Sequence, residues 1–406
     1  MTVEKKKMLF FHHCGTVGGA GISGLGFLNS VPKDLYDITV CTVSVPENMA
    51  NLFRENGLRV IESGSVPTSF THCVGSKMAA LSPKAFINYA KVLRDKNKVV
   101  DILQQEKPDV VVANSMTLFW IGKLAKKYNA ETICFFRETY IHGWFGVRTA
   151  FIKSQLSKYF DKIAFISDYE LERSKNIKSK KKTIYNVVPK AGYDRYTKKQ
   201  ARELLQLDDK AFYVLYVGGV SKLKGALVLL KAFSRITDKS VKLLFVGGTM
   251  EQLKKNANPA SWKQKLKNVL KKNYNKQCLD CIERNGLLDK VVFFPGQSDI
   301  APFYRAADML AFPMTAPHQA RPLFEAGYAK IPVIITDFEN IYDVVDSSSG
   351  YLFKKGNDRQ LAQMIVDIKN NYEDTKSRVE CNYHNTIERH SPEVYKQQIE
   401  YLLAWE

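Results

Sequence analysis

Twelve short apolar runs recur along the chain, and helix-length segments separate most of them. Six lie in the first half, at 8–13, 37–43, 109–115, 131–138, 161–167 and 183–188, and six in the second, at 212–219, 241–248, 290–296, 308–313, 332–337 and 350–353. The runs are continuously apolar rather than alternating, which is typical of strands buried on both faces of a parallel sheet. This pattern predicts an α/β protein.

The pattern stops at a polar stretch, 190–210, and then starts again. A chain of 406 residues exceeds what one hydrophobic core usually serves. We therefore predict two doubly wound, Rossmann-like domains, 1–190 and 191–388, facing each other across a cleft. Ser391 and Pro392 are typical of a helix start. Residues 389–406 are accordingly expected to form a last helix that returns to the N-terminal domain.

Composition indicates the kind of partner that the protein binds, and it disfavours a metal site, a signal peptide and a membrane span. A formal charge of +19 favours an anionic partner, whether nucleic acid, a phosphorylated ligand or an acidic membrane. The seven cysteines are scattered, and the pair Cys278 and Cys281 lacks a second pair at zinc-finger spacing, so reduced thiols and no metal site are predicted. The N-terminal apolar run is too short for a signal peptide, and no segment reaches the roughly 18 apolar residues of a membrane span.

The loop after the first apolar run is rich in glycine and contains Gly19-x-Gly21-x-x-Gly24. A dinucleotide fingerprint would need these glycines directly after the strand and an acidic residue about 20 positions later. Here residues 14–18 intervene, and the first acidic residue beyond the end of the next apolar run is Glu47, after a proline, which disfavours a nicotinamide or flavin dehydrogenase. We predict instead a loop whose backbone N–H groups approach a phosphate or a sugar.

Two loops of the second half favour a nucleoside diphosphate. Lys222 and Lys224 stand between a strand and a helix, where cations and a helix N-terminus can both face an anion, although lysines on a solvated surface are the alternative. Pro322 suits a helix start, so the backbone N–H groups of 320–324 form a second anion site. Glu325 beside it could accept hydrogen bonds from a ribose diol.

These segments together resemble the retaining GT-B glycosyltransferases that share a "glycosyl transferases group 1" domain. The resemblance is carried by GGAGIS, FISDYE, YNVV, VGGVSKLKG, FVGG, FFPGQSDIAPFYRAADMLAFP and PHQARPLFEAGYAKIPVI, in that order along the chain. It implies a nucleotide-sugar donor in the C-terminal domain, an acceptor in the N-terminal domain, and transfer with retention of configuration.

The resemblance also implies roles for particular residues. Glu325 matches the family's ribose ligand and Lys224 its diphosphate ligand, whereas Gly219 replaces the usual arginine and Pro317 replaces the first glutamate of the E-x7-E motif. The loop resembles a PHxxRPxxEA variant of bacterial surface-polysaccharide transferases. The predicted donor-binding residues are Gly19, Gly21, Gly219, Lys222, Lys224, Gly296, His318, Arg321, Pro322, Leu323 and Glu325.

The candidate catalytic residues of the N-terminal half follow its fourth apolar run. Arg137 and Glu138 end the segment CFFRET, and His142 comes a few residues later. Family members often have a histidine near this strand end that meets the sugar. The choice between Glu138 and His142 stays open, with structural hydrogen bonding as the alternative for each.

The sequence thus predicts a hexosyltransferase that moves a sugar from a UDP- or GDP-linked donor to a polysaccharide or lipid-linked acceptor, with no further cofactor and no metal. A GT-B-like binding protein without transferase activity is the main alternative, and a sugar-nucleotide epimerase is a weaker one. Basic segments at 91–98, 178–182 and 262–274 favour an anionic membrane surface over nucleic acid. The expected location is the cytoplasm, at the inner face of the cell membrane.

Overall fold

The computed structural model describes residues 4–70, 73, 83–141, 145–188, 192–258 and 273–405. The chain divides into two compact units, one of 1–187 together with 392–406 and one of 188–391. The division after residue 187 lies close to the boundary at 190 expected from the sequence. The basic segment 262–274 and His142 lie outside the described residues, apart from 273 and 274.

The first unit contains a seven-stranded parallel sheet in the order β3-β2-β1-β4-β5-β6-β7. The strands are β1 Lys6–His12, β2 Tyr36–Thr42, β3 Arg59–Glu62, β4 Val110–Ala113, β5 Glu131–Phe136, β6 Lys162–Phe165 and β7 Lys180–Thr183. The helices between them are α1 Gly19–Ser30, α2 Asn48–Glu55, α3 Pro83–Glu106, α4 Phe119–Ala125, α5 Val147–Tyr159 and α6 Asp168–Arg173.

The second unit contains a six-stranded parallel sheet in the order β10-β9-β8-β11-β12-β13. Its strands are β8 Phe212–Val217, β9 Val241–Val246, β10 Val291–Phe294, β11 Met309–Phe312, β12 Val333–Thr336 and β13 Tyr351–Phe353. Its described helices are α7 Lys198–Leu204, α8 Ala226–Phe233, α9 Met250–Ala257, α10 Tyr274–Arg284, α11 Ala301–Ala306, α12 Arg321–Ala329, α13 Asp358–Asn370 and α14 Lys376–His390.

The central strands show why the apolar runs are continuous. In β1, Met8 and Phe10 pack into one core layer while Leu9 and Phe11 pack into the layer on the other face. Successive side chains of a strand point to opposite faces, so a strand with helices on both sides must be apolar at every position. The predicted α/β class with two Rossmann-like units is confirmed.

The two edge strands of the first sheet depart from the prediction. β3 has the half-exposed sequence RVIE and no continuous apolar run, so it was missed. The sixth strand was expected at 183–188, but β7 is Lys180–Thr183 with the sequence KKKT. Lysines are common on edge strands because they discourage pairing with another chain. Part of the basic segment 178–182 is therefore a sheet edge.

The C-terminal helix, α15 Pro392–Ala404, belongs to the first unit although it follows the second in sequence. Its side chains Tyr395, Ile399 and Leu402 are buried in the same core layer as Phe10. The predicted return of this helix to the N-terminal domain is therefore observed. Of the helices in the described ranges, none combines the length and apolarity needed to cross a bilayer.

Candidate active site

The loop between β8 and α8 holds Lys224 against the carboxyl end of the sheet. A Cβ atom on Gly218 would overlap the Cδ atom of Lys224, so the glycine leaves the space in which the lysine stem lies. Gly219 has a φ of +62°, and a Cβ atom there would be 2.5 Å from the carbonyl oxygen of Gly247. Glycine is therefore needed at position 219, which explains on backbone grounds why no arginine stands there.

Lys224 is half-buried, whereas Lys222 in the same loop is exposed. Burial lowers the pKa of the Lys224 ammonium, and the nearby Glu325 carboxylate partly opposes that effect. Among the described residues Lys224 forms no ion pair. A partly desolvated cation without a bonded counter-ion is well placed to bind an anionic ligand.

Helix α12 begins one residue earlier than predicted, so Pro322 occupies its second position and Arg321 its first. The N–H groups of the first turn have no partner inside a helix, and this holds for either position of the proline. Leu323 is an exception, because its N–H donates to the carbonyl oxygen of Ala320 at 3.0 Å. The remaining N–H groups at this helix start keep the character of an anion site.

Glu325 lies on the second turn of α12 and is 7% exposed. One carboxylate oxygen accepts a hydrogen bond from Arg321 Nε at 2.9 Å, and the other accepts one from the hydroxyl of Tyr304 at 2.7 Å. Each carboxylate oxygen can accept a second bond, so the group is held in one orientation and can still accept from two ligand hydroxyls. Tyr304, on α11, was not singled out in the sequence.

His318 lies in the loop between β11 and α12. Its Nδ1 atom is 3.1 Å from the carbonyl oxygen of Ala316, and its ring centroid is 6.0 Å from that of Phe312. Burial is the main cause that lowers the pKa of His318; the Ala316 carbonyl opposes it, and the charge of Lys224 lowers the pKa further. The side chain is therefore neutral at neutral pH.

The predicted glycines occupy three different settings. Gly19 is the first residue of α1 and Gly21 the third, both in the first unit. A Cβ atom on Gly21 would overlap the sulfur of Met49, so this glycine permits α1 to pack closely. Gly296 is exposed after β10, and no atom within 4 Å would meet a Cβ atom there.

Arg137, directly after β5, is 9% exposed and its donors are used within the first unit. Its Nε donates to the Asn114 side-chain oxygen at 2.5 Å, Nη1 donates to Asn186 Oδ1 at 2.9 Å, and Nη2 donates to the Ser23 carbonyl at 3.4 Å. Burial lowers the pKa of this guanidinium. These contacts are those of a residue that positions its neighbours rather than one that contacts a substrate.

Glu138 accepts hydrogen bonds from Ser115 Oγ at 2.5 Å and from the N–H of Met116 at 3.3 Å. Burial raises its pKa to about 7, against the lowering effect of these two donors and of Arg137. A carboxyl group that titrates near neutral pH can accept or release a proton there. Glu138 thus keeps the properties of a candidate catalytic group.

Glu170, at the start of α6, is a second buried carboxyl group that the sequence did not single out. It is 2% exposed, and its Oε1 atom is 3.5 Å from Arg173 Nη1. Burial is the main cause that raises its pKa to about 7, and the charge of Glu138 also raises it. Its only sequence signal is its place in FISDYE, directly beyond a strand.

We expect the substitution Glu170→Gln to stabilise the protein at pH 8 but not at pH 4.5. The pKa of this carboxyl is about 7 in the folded protein, against an ordinary value of 4.5. Between these pH values the folded state keeps a proton that the unfolded state has lost, so the free-energy cost of the buried carboxyl to folding grows from pH 4.5 to 7. Removing that cost should raise the free energy of unfolding by roughly 1–3 kcal/mol at pH 8. Urea unfolding at the two pH values measures it.

The matched control is Glu172→Gln, two residues along the same helix, where the side chain is exposed and pairs with Lys175. It should shift stability little at either pH. Equal stabilisation by Glu170→Gln at both pH values would show that the buried charge is not the cause.

Within the described ranges, no group of three or more His, Cys, Asp or Glu side chains could hold a metal ion.

Comparison with solved structures identifies the architecture. The chain is similar to Anabaena Alr3699/HepE, solved with UDP and glucose, with a TM-score of 0.73 at 18% identity, covering 99% of this chain and 100% of that one. It is also similar to the sucrose-phosphate synthase of Thermosynechococcus elongatus, with a TM-score of 0.72, 16% identity and 98% coverage of both chains. The lipopolysaccharide outer core galactosyltransferase WaaB matches with a TM-score of 0.61 and 15% identity over 98% of this chain and 99% of WaaB.

These likenesses and the two parallel sheets define a two-domain GT-B fold, as the sequence predicted. Residues 197–385 match the model of the family described as glycosyl transferases group 1. The matched residues span most of the second unit. A comparison with curated protein sequences found no match.

Proposed function

We propose that the protein is a retaining glycosyltransferase that moves a hexose from a nucleotide-sugar donor to a glycan or lipid-linked acceptor, in bacterial surface-polysaccharide synthesis. The observation that carries this proposal is the combination of Lys224, Arg321 and Glu325 at the carboxyl edge of the second sheet. Two cations and a helix start suit a diphosphate, and an oriented carboxylate suits a ribose diol.

A UDP-linked donor is favoured over a GDP-linked one. Anabaena HepE, whose fold this chain shares, has been solved with UDP-glucose as well as with UDP. The leaving diphosphate would develop negative charge, which Lys224, Lys222 and Arg321 stabilise by their positions. These three side chains would supply the positive charge in place of a resident cofactor or a metal ion.

The acceptor is assigned to the first unit, with Glu138 as the group that meets the reacting hydroxyl. Its carboxyl group can hydrogen bond to a hydroxyl in either protonation state, and with a pKa of about 7 both states are populated near neutral pH. Arg137 contributes by positioning Asn114 and the first turns of α1. Retention follows from the resemblance to retaining GT-B enzymes; anomeric analysis of the product by NMR tests it, and inversion would contradict it.

We also place the protein at the inner face of the cell membrane. Four basic residues of α3, Lys91, Arg94, Lys96 and Lys98, are exposed. The exposed apolar side chains Phe145, Val147 and Phe151 lie at and beside the start of α5 in the same unit. Exposed cations with apolar side chains suit anionic lipid headgroups. Sedimentation with anionic vesicles tests this placement. If the protein does not sediment with the vesicles at low salt, the membrane placement is wrong.

A thermal-shift panel of UDP, GDP, ADP, their sugars, NAD and NADP tests the donor site. Ligands that bind only the folded state must raise the midpoint. We expect the UDP series to do so, and Glu325→Gln to weaken UDP binding by about 10-fold, because one acceptor for a charge-assisted bond is lost.

The control is Glu339→Gln, an exposed carboxylate in the same unit. Stabilisation by NAD alone, or by no nucleotide, would overturn the donor site. Binding of UDP-sugars with neither transfer nor donor hydrolysis would instead favour the non-catalytic binding protein.

A further inference from the structure

The loop before α12 presents a histidine nitrogen that is fixed as a hydrogen-bond acceptor. A carbonyl oxygen can only accept, so the Nδ1 atom of His318, 3.1 Å from the Ala316 carbonyl, must carry the proton. In the neutral ring the Nε2 atom then keeps its lone pair. Nε2 is shielded from solvent and has no hydrogen-bond partner in the described part of the chain.

Asn340 contributes a second acceptor of the same kind. Its Nδ2 atom donates to the carbonyl oxygen of His318 at 3.1 Å, which fixes the orientation of the amide. Its Oδ1 atom is buried, and no described residue donates to it. Asn340 lies in the short turn after β12, so two segments that are distant in sequence meet here.

Buried acceptors without a donor are uncommon in folded proteins, and each calls for an explanation such as a ligand. Here two such acceptors belong to His318 and Asn340, which are hydrogen bonded to each other. His318 precedes Arg321 by three residues in the same loop. Their common requirement is a ligand that donates hydrogen bonds. A diphosphate cannot do so, because its oxygens only accept.

We propose that His318 Nε2 and Asn340 Oδ1 form the subsite that binds hydroxyl groups of the transferred sugar, and that this sugar is neutral rather than acidic. The assignment rests on the proposed glycosyltransferase function. Hydroxyls donate to both acceptors, whereas a uronic acid carboxylate would bring further lone pairs to them. His318 also supplies an acceptor beside Pro317, where the resemblance leads one to expect a glutamate.

The test compares ligands with and without the sugar. Affinities of UDP, UDP-glucose, UDP-galactose and UDP-glucuronic acid are measured by calorimetry for the wild type, His318→Ala and Asn340→Ala. We expect each substitution to weaken binding of one UDP-hexose about 3- to 10-fold while UDP changes less than about twofold, the size of one neutral hydrogen bond. Wild-type protein should bind UDP-glucuronic acid at least about tenfold more weakly than that hexose.

Two further variants separate the acceptor role from a general effect on the fold. His318→Gln can offer a side-chain oxygen at similar reach and should restore part of the UDP-hexose affinity lost in His318→Ala. His384→Ala removes an exposed histidine on α14 and should change nothing.

The outcomes distinguish this assignment from the function on which it rests. If wild-type protein binds neither UDP nor any UDP-sugar, the UDP donor site itself fails. If UDP binds, but His318→Ala and Asn340→Ala weaken UDP and UDP-hexose equally, or weaken neither, the sugar subsite alone is overturned. Equal affinity for UDP-glucuronic acid and the hexoses would also overturn it.

Discussion

The substitution Lys224→Ala is expected to lower kcat/KM by about 100- to 1,000-fold, which corresponds to roughly 2.7–4 kcal/mol of lost transition-state stabilisation. Its ammonium is half-buried and forms no ion pair among the described residues, so it can act on a leaving diphosphate with little screening by water. Steady-state kinetics with a UDP-hexose and a glycan acceptor measures the loss.

The charge-matched control is Lys231→Ala, an exposed lysine on α8, a helix directly after the same loop. We expect its kinetics to stay within about twofold of wild type, as for most surface substitutions. Binding of UDP should also weaken in Lys224→Ala, by less than turnover does. Activity within threefold of wild type in Lys224→Ala would remove this residue from the candidate diphosphate site.

The substitution Gly225→Ala should cost about 3 kcal/mol of unfolding free energy or more. Gly225 precedes α8 with a φ of +78°, and a Cβ atom there would overlap the carbonyl oxygen of Pro313, at the end of β11. The loop before α8 would have to separate from the end of β11, which would also displace Lys224. Thermal or urea unfolding measures the loss of stability.

Gly356→Ala separates steric overlap from backbone strain. Gly356 has a similar φ of +72°, but nothing lies within 4 Å of the position of a Cβ atom. It should cost only the left-handed backbone penalty, about 1 kcal/mol. Equal losses in the two variants would mean that overlap with Pro313 is not what requires glycine at position 225.

Much of the fold could be predicted because burial on both faces makes a central strand apolar at every position. Met8 to Phe11 and Val110 to Val112 are buried in this way and were placed correctly. β3 and β7 were missed or misplaced because an edge strand has a neighbour on one side only. Such a strand tolerates arginine, glutamate and lysine, so its sequence resembles a surface loop.

Part of the candidate site could likewise be predicted from the sequence, and part could not. Lys224, Arg321 and Glu325 could be named from the sequence because local chemistry marks them: lysines before a helix, a proline at a helix start and an acid beside it. Tyr304 and Asn340 carry no such mark. Their roles depend on hydrogen bonds to Glu325 and to the His318 carbonyl, which lie 21 and 22 residues away in the chain.

The sequence by itself determined the α/β class, the two units and the order of the loops that follow each strand, because hydrophobic periodicity and turn chemistry are local properties. Only the tertiary structure decided which side chains keep unused hydrogen-bonding groups. Arg137 looked catalytic from its position, yet its donors bond to three segments of its own unit. Glu170 looked ordinary, yet burial raises its pKa to about 7. The burial of a side chain and its hydrogen-bond partners depend on residues far apart in the chain, so no local sequence pattern predicts them.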